Sequence, residues 1–323
     1  MRARIIKILW CSSAIWTLCG CGATPPPLAP SLPPAPIQTQ TPQPPCPAPQ
    51  LEKQFAEIAG VTQGPVGATV MLVETGDTVS LKPTDHFPMQ SVYKLPIAMM
   101  VLNRLDSGTL TLDQKVKVEP KDFVGSREYT IPYEYPRGAE LSVRELLRFM
   151  MSESDGTACD VLMRLMGGPP EVTKHIQGLS VDGIVLATYE KEMAQNRSVS
   201  YQNWSTPQAM AALLKMLHEA IGVSTTSRDL LLDLMIGSRP GPKRIKGELP
   251  SEAVVAHKTG TSGTAQGVTS ATNDVGLITL PDGRHLAIAV FVSDTKANQE
   301  TREGVIAKIA RAAWDCWMLP SQK

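Results

Sequence analysis

The order of strand and helix patterns along the chain constrains its fold more than any other feature. Strand patterns occur early, at Val66 to Val73, and return late, at Asp274 to Leu280 and Leu286 to Val292. The residues between them, from about 118 to 250, carry mostly helical patterns. A helical block enclosed by strands from both ends predicts an α/β fold with one antiparallel sheet, which the two chain ends build together, and helices packed beside it.

Turn and cap residues divide the helical patterns into separate helices. The residues 154–156, Ser-Asp-Gly, separate two helices within Leu141 to Leu165. Thr206-Pro207 opens another helix that runs through His218, because proline is tolerated at the first helical position. A final helix is predicted from Glu300 to Trp317.

Composition excludes several classes of function. The chain has 323 residues, and its 31 basic residues balance its 31 acidic residues when histidine is neutral. No basic run suggests a nucleic-acid surface, so we expect no nucleic-acid partner. The apolar fraction of 42% is typical of a globular protein with a substantial core. In the body of the chain, no apolar run reaches the roughly 18 residues that a membrane span needs.

The N-terminus has the pattern of an export signal. Arg2, Arg4 and Lys7 precede a short apolar segment from Ile8 to Leu18, and this order is typical of a secretory signal peptide over residues 1–20. The following Leu-Cys-Gly-Cys, which ends at Cys21, resembles a bacterial lipobox and implies that Cys21 carries lipid after cleavage. We therefore expect an exported, periplasm-facing lipoprotein, with glycine after the cysteine favouring the outer membrane.

A proline-rich segment follows the signal. Residues 21–50 are predicted to hold the lipid-anchor cysteine and a semi-rigid tether, because repeated proline favours extended polyproline II. The folded domain is expected over residues 51–323. Beyond the signal and the anchor, Cys46, Cys159 and Cys316 remain. Cys159 lies in an apolar helical pattern and is expected to be buried; the sequence leaves open whether Cys46 or Cys316 is paired.

Ser91 and Lys94 form the first candidate for chemistry. They lie three residues apart at the start of a helical pattern, so both side chains share one face. A serine hydroxyl is a weak nucleophile unless a neighbour takes its proton. A lysine can do so only when burial or nearby charge lowers its pKa. The pair alone is a weak signal, because Ser-x-x-Lys occurs by chance in many chains.

Three further groups follow in a consistent order. They are Ser154-Asp155-Gly156 between two helices, Tyr189-Glu190-Lys191-Glu192 in a loop, and Lys258-Thr259-Gly260-Thr261 on a late strand. Together with Ser91-x-x-Lys94 they resemble the class A serine β-lactamases, most closely the PER-type extended-spectrum branch. The resemblance covers about residues 51 to 318. It implies the serine β-lactamase/D,D-peptidase-like fold, with an all-helical subdomain and an active site in the cleft beside the sheet.

The resemblance also implies a role for each motif residue. Ser91 would attack the lactam carbonyl, with Lys94 and Glu190 as candidate bases, and Ser154 would pass a proton to the leaving nitrogen. The amides of Ser91 and Thr261 would form the oxyanion hole. The substrate-binding residues implied are Tyr129, Gly156, Arg244, Lys258, Thr259, Gly260 and Thr261.

Some assignments have alternatives. Glu192 competes with Glu190, because Asn196 lies four residues after it, as an asparagine does in the usual family loop; the spacing from Ser154 favours Glu190. Arg244 could instead be one of several surface charges. Gly156 replaces an asparagine that usually bonds the substrate side chain, and Ala194 replaces one that helps to hold the deacylating water. Asp155 is interpreted as a structural brace.

The resemblance therefore implies an enzyme that hydrolyses penicillins and cephalosporins and confers antibiotic resistance, and we expect its catalytic domain to be monomeric. Its partners would be the small-molecule β-lactam substrate and the membrane. The five histidines lie singly, without metal-ligand spacing, so neither a metal nor a cofactor is expected. The first alternative is a D,D-peptidase or penicillin-binding protein that deacylates slowly. The second is a non-hydrolytic sensor or cell-wall binding module.

Overall fold

The computed structural model describes residues 46–125 and 129–318, so the predicted signal peptide, Cys21 and most of the predicted tether lie outside the described residues. The helices are α1 Ala48–Gly60, α2 Lys94–Asp106, α3 Thr130–Glu134, α4 Val143–Ser152, α5 Gly156–Leu165, α6 Pro169–Gly178, α7 Glu190–Gln195, α8 Pro207–His218, α9 Thr225–Ile236 and α10 Gln299–Met318. The strands are β1 Val66–Leu72, β2 Thr78–Leu81, β3 Phe87–Pro88, β4 Lys115–Val118, β5 Ala139–Ser142, β6 Ile184–Val185, β7 Trp204–Ser205, β8 Val254–Thr261, β9 Thr264–Ala265, β10 Val268–Thr269, β11 Thr272–Thr279 and β12 His285–Val292. Short 3-10 helices occur at Gln90–Tyr93, Pro120–Asp122, Arg197–Gln202 and Ile245–Glu248.

The central sheet has five strands in the order β2-β1-β12-β11-β8, and all neighbours in it are antiparallel. Strand β1, near the start of the described chain, pairs along its whole length with β12, so that Val66 lies opposite Val292. The predicted sheet built from both chain ends is confirmed. Strand β8 forms one edge, and this edge carries the Lys258 motif.

Each face of the sheet covers its own core. Side chains alternate between the faces along a strand, so Val70 and Ile288 point to the side covered by α1 and α10, where they join Trp314. Ala289 and Phe291 point to the opposite side, where the helical block packs. The described helices therefore lie on both faces of the sheet. The all-helical subdomain continues the core on the face of Ala289 and Phe291.

A disulfide joins Cys46, just before α1, to Cys316 in the last turn of α10. The two cysteines are 270 residues apart in sequence, and their Cα atoms are 5.3 Å apart. This pairing settles what the sequence left open. Cys159 is a buried free cysteine, as its apolar surroundings predicted. Helix α1 begins at Ala48, slightly before the predicted domain start at Leu51.

The helices around Ser154 begin and end where their cap residues dictate. The side chain of Ser142 accepts a hydrogen bond from the amide of Glu145 and starts α4. Asp155 caps α5 in the same way by accepting from the amide of Ala158 at 2.8 Å. Ser154, between the two helices, has a φ of 60°. No helix within residues 46–125 and 129–318 is long and apolar enough to cross a membrane.

Candidate active site

Ser91 lies on the 3-10 turn Gln90–Tyr93, directly before α2, rather than within the first turn of an α-helix as the sequence predicted. The preceding residue, Gln90, has a φ of 48°, in the left-handed region that non-glycine residues seldom adopt. Such strain persists where the surrounding structure holds it and is frequent at active sites. The tight turn presents the Ser91 hydroxyl towards Lys94, whose Nζ donates to Oγ at 2.9 Å.

Lys94 is the centre of the polar cluster and is fully buried. Its Nζ lies 2.8 Å from Oε1 of Glu190 and donates at 2.7 Å to the carbonyl oxygen of Ser154. Burial, the largest influence, lowers the pKa of Lys94, but the negative charge of Glu190 and the other groups around the ammonium together raise the pKa above its ordinary value. The resting site therefore contains a lysine ammonium paired with a carboxylate.

Glu190 is the first residue of α7, and its carboxylate faces Ser91. The hydroxyl of Ser91 donates to Oε1 of Glu190 at 3.3 Å. The competing glutamate, Glu192, is exposed, and its carboxylate instead accepts from the amide of Tyr189 at 2.9 Å. The structure therefore places Glu190, and not Glu192, beside the serine. Ala194 is exposed on the same short helix.

Asp160 positions Glu190, and sequence reasoning missed it. Its buried carboxylate accepts from the amides of Glu190 at 2.8 Å and Lys191 at 2.9 Å, which fixes the start of α7. Burial, and next the charge of Glu190, raise the pKa of Asp160 to about 7. The signal in the sequence was a single acidic residue within the apolar pattern of α5. Such a residue usually has a buried polar partner.

Ser154 lies between the two lysines. Its Oγ accepts from Nζ of Lys258 at 2.8 Å and from Nζ of Lys94 at 3.4 Å. Lys258 is also fully buried, and its Nζ donates to the carbonyl oxygen of Thr259 at 3.1 Å. Burial, and next the positive charge of Lys94, hold the pKa of Lys258 well below its ordinary value. The two ammonium groups thus differ in how readily they release a proton.

Strand β8 passes close to the serine turn because residue 260 is a glycine. A Cβ there would lie 2.3 Å from the carbonyl oxygen of Met89, so any side chain would push the strand away. The amide of Ser262 donates at 3.0 Å to the carbonyl oxygen of Ala271, directly before the neighbouring strand β11. Since bonded and non-bonded pairs alternate along an antiparallel ladder, the amide of Thr261 points to the free edge of β8. That edge faces the serine turn, as an oxyanion-hole amide requires.

Arg244 lies beneath the end of β8 instead of projecting as a surface charge. Its side chain is buried, and its Nη2 donates to Oγ1 of Thr261 at 2.7 Å. Its Nη1 donates to the carbonyl oxygens of Gly260 and Asn273 at 3.2 and 2.9 Å. Nε is paired with the carboxylate of Glu303 at 3.2 Å. Positive charge is thereby held at the Thr261 end of the site.

Two supporting residues escaped sequence reasoning at this end. Glu303, on α10, is the buried ion-pair partner of Arg244. Asn273, on β11, donates through Nδ2 to the carbonyl oxygens of Pro88 and Met89 at 2.8 and 3.1 Å, which ties the chain before the serine to the sheet. Neither residue belongs to a local motif, because each acts across a large distance in sequence.

Tyr129 fills the space beside Gly156. A Cβ on Gly156 would lie 3.1 Å from each of two ring carbons of Tyr129. Nζ of Lys94 is 5.9 Å from the centre of the same ring. The charge of Glu190, and next burial, raise the pKa of Tyr129 to about 12. Tyr129, which the resemblance implied as a substrate-binding residue, therefore packs against the position where the family usually has asparagine. Asp155 accepts from the amide of Ile131 at 2.9 Å and acts as the predicted brace.

Comparisons with known proteins agree with this geometry. A family model described as the β-lactamase enzyme family matches residues 50–317. The chain is 39% identical over 269 residues to the extended-spectrum β-lactamase PER-1 of Pseudomonas aeruginosa, covering 83% of this chain and 87% of that protein.

Solved structures give the same result. The fold is similar to that of a β-lactamase from Chitinophaga pinensis, with a TM-score of 0.81 and 47% identity over 82% of this chain and 98% of that one. It is also similar to TLA-3 extended-spectrum β-lactamase, with a TM-score of 0.82 and 38% identity over 84% of this chain and 100% of that one. The fold expected from the sequence is confirmed, and the chain belongs to the β-lactamase enzyme family, among its class A serine enzymes.

Proposed function

We propose that this protein hydrolyses penicillins and cephalosporins through an acyl-enzyme on Ser91. Hydrolysis of β-lactam antibiotics, with the resistance that it confers, follows from membership of the class A serine enzymes. The assignment of residues is carried by one observation: Oγ of Ser91 lies within hydrogen-bonding distance of both Lys94 and Glu190. PER-1 and TLA-3 are named as extended-spectrum enzymes, which supports the inclusion of cephalosporins among the substrates.

Glu190 is the base that the geometry favours for acylation. Lys94 carries a raised pKa and is protonated in the resting site, so it has no lone pair with which to accept the serine proton. The carboxylate of Glu190 is 3.3 Å from Oγ of Ser91 and can accept that proton. The hydroxyl oxygen then bonds to the lactam carbonyl carbon, and the ammonium of Lys94 stabilises the developing negative charge.

Proton delivery to the leaving nitrogen falls to Ser154. When the lactam C–N bond breaks, the nitrogen needs a proton, which Ser154 supplies from Oγ. Lys258 is 2.8 Å from that oxygen and can replace the proton, because burial and the charge of Lys94 make its own proton easier to lose. The amides of Ser91 and Thr261 hold the oxyanion, an arrangement in which each donor contributes about 3–4 kcal/mol.

The substrate carboxylate would bind at the end of β8. Lys258, Arg244 and the hydroxyls of Thr259 and Thr261 supply positive charge and donors there, while Gly260 lets the strand approach the substrate.

Before deacylation, the proton that Glu190 took from Ser91 would pass through Lys94 and Ser154 to Lys258, which leaves Glu190 ionised again. In deacylation, Glu190 would take a proton from the water that attacks the acyl carbon and would give it to Oγ of Ser91 as the acyl C–O bond breaks. Acylation and deacylation therefore use the same carboxylate, that of Glu190.

Mass spectrometry of the purified protein mixed with a penicillin tests these roles. The wild type is expected to gain the mass of the drug and return to its free mass, whereas Glu190→Gln should remain acylated or acylate slowly. Glu192→Gln is the matched control and should return to free mass like the wild type, because that side chain faces away from Ser91. Wild-type protein that stays acylated for hours would favour the penicillin-binding alternative. Equal turnover by both variants would refute the role of Glu190.

We propose further that the protein is exported and anchored through lipid on Cys21, with a monomeric catalytic domain. The basic start, the apolar segment and the Leu-Cys-Gly-Cys ending support this localisation. The Cys46–Cys316 disulfide fits an oxidising compartment. Labelling of growing cells with a fatty-acid probe should mark the wild type and not Cys21→Ser. Equal labelling of both would refute the anchor.

A further inference from the structure

The fold brings together three potential metal ligands that are far apart in sequence. Glu74 lies in the turn between β1 and β2, His218 is the last residue of α8, and His285 is the first residue of β12. One ligand atom from each lies within 4.8 Å of the others. The spacing of histidines in the sequence gave no sign of this cluster, because the three elements meet only in the folded chain.

The contacts within the cluster suit a metal site. Nδ1 of His285 is 2.9 Å from Oε1 of Glu74, and the carboxylate also accepts from the amide of His285 at 3.0 Å. A metal could take the place of the proton between these two atoms, so that Nδ1 of His285 and the carboxylate of Glu74 would both become ligands. The rings of His218 and His285 are 4.2 Å apart between centroids. Glu74 is thereby fixed against one of the two imidazoles.

A cavity of about 240 Å³ opens beside the two histidines. Its walls include Leu277 and Ala256 from the sheet and Ile236 from α9. His218 and His285 both line this cavity, so their rings can be reached by a cation from solution. The two histidines are therefore accessible from a cavity whose walls are partly apolar.

The other charges around the cluster are nearly balanced. Nη1 of Arg228 donates to the carbonyl oxygen of His218 at 3.3 Å and would oppose a bound cation. Its Nε is paired with Asp229 at 2.8 Å, which compensates that charge. Glu74 supplies the remaining negative charge, and its carboxylate accepts from the amide of His285. A divalent cation would thus meet one uncompensated carboxylate and two imidazoles.

We propose that Glu74, His218 and His285 form a binding site for Zn²⁺ or a similar divalent transition metal. Two imidazoles and one carboxylate are a donor set that zinc prefers, whereas calcium and magnesium prefer oxygen ligands alone. At metal–ligand distances of about 2.0–2.1 Å, tetrahedral ligands lie about 3.4 Å apart, so side-chain rotation is enough to close the cluster around a metal. The bound metal would cross-link the β1–β2 turn, α8 and β12.

The site is expected to stabilise the folded chain and to leave the chemistry at Ser91 unchanged. A metal that binds only the folded state raises the apparent stability according to its concentration relative to Kd. Within the described residues, the cavity is lined by none of the groups that contact Ser91. Hydrolysis should therefore proceed at the same rate after chelation, while the melting temperature falls.

Isothermal titration of the chelator-treated protein with ZnCl₂ tests the proposal. The wild type should bind one equivalent, and His218→Ala and His285→Ala should each weaken binding at least 100-fold. His86→Ala is the matched control, because this exposed histidine stacks on Trp204 outside the cluster. Co²⁺ should give visible d–d absorption in the wild type and the control alone. β-Lactam hydrolysis by each variant checks that it is folded. Binding that survives both substitutions, or no stoichiometric binding by the wild type, would overturn the proposal.

Discussion

The carboxyl group of Asp160 should make the stability of this protein fall as pH rises. In the folded state its pKa is raised from 3.8 to about 7, first by burial and next by the charge of Glu190. A carboxyl group with a raised pKa binds more protons in the folded state than in the unfolded state between these two values. By linkage, the free energy of unfolding then decreases with pH across that window.

The size of the effect follows from the two pKa values. A full difference from 3.8 to about 7 corresponds to about 4 kcal/mol of unfolding free energy, at about 1.4 kcal/mol per pH unit. Stability from this group is fully present below about pH 4 and is lost by about pH 7. Between about pH 5 and pH 8, the loss from Asp160 alone is roughly 2–3 kcal/mol.

Replacement of Asp160 by asparagine removes this titration. The amide can accept from only one of the amides of Glu190 and Lys191, and the other loses its partner, which costs about 1–3 kcal/mol at any pH. We therefore expect Asp160→Asn to be destabilised most clearly near pH 5. Between about pH 5 and pH 8, the free energy of unfolding of the variant should fall by roughly 2–3 kcal/mol less than that of the wild type.

Urea unfolding at a series of pH values, with the disulfide intact, measures the difference. Asp106→Asn is the matched control, because hydrogen bonds from Ser224 and Ser227 lower the pKa of Asp106 despite some burial. That carboxyl group is ionised in both states above about pH 5, so its loss should leave the pH dependence of the wild type intact. Parallel curves for the wild type and Asp160→Asn would refute the argument.

Two further predictions concern residues outside the catalytic centre. Cys46→Ser and Cys316→Ser should each lower the unfolding free energy by about 2–5 kcal/mol without changing kcat, because each variant lacks the disulfide. The double variant lacks the same bond and should lose no more stability than either single variant. Additive losses in chemical unfolding would contradict this. Glu303→Gln should raise KM several-fold with a smaller effect on kcat, because Arg244 loses its ion-pair partner and holds Thr261 less firmly. Steady-state kinetics with a penicillin, beside the neighbouring Glu300→Gln as control, measure this effect, and a change in kcat alone would argue against it.

The features that could be predicted from the sequence are those that depend on residues close together in the chain. Strand patterns in the sequence identified the long strands, and Ser91, Lys94, Ser154 and Lys258 lie in short motifs whose order indicated one site. The contacts that complete the site depend on pairings distant in sequence, which no local pattern encodes. Glu303 reaches Arg244 from the last helix, and Asp160 on α5 fixes Glu190 on α7. The two ends of the disulfide were visible as odd cysteines, but only the packing of α1 against α10 determines that they meet.

Glycine stands at residue 156 where the family usually has asparagine, and the ring of Tyr129, which is distant in sequence, lies against it. The usual asparagine should contribute a substrate hydrogen bond of about 1–2 kcal/mol, so its restoration by Gly156→Asn would be expected to improve catalysis. The ring of Tyr129 opposes this, because a Cβ at 156 would lie 3.1 Å from two of its carbons and the ring would have to shift. The two positions are thus in direct contact, and substitutions at them should not be additive.

A double-mutant cycle measures this dependence. Gly156→Asn alone should leave kcat/KM unchanged or lower, whereas in a Tyr129→Ala background it should raise kcat/KM about tenfold, a coupling of about 1.4 kcal/mol. Gly156→Ala is the control, because it brings the same Cβ contact without an amide and should give no gain in either background. An equal effect of Gly156→Asn in both backgrounds would show that the ring of Tyr129 moves aside without cost, and would refute the coupling. If the coupling is observed, glycine at 156 is a consequence of the tyrosine that occupies the space, and the site compensates for the missing amide by packing rather than by a hydrogen bond.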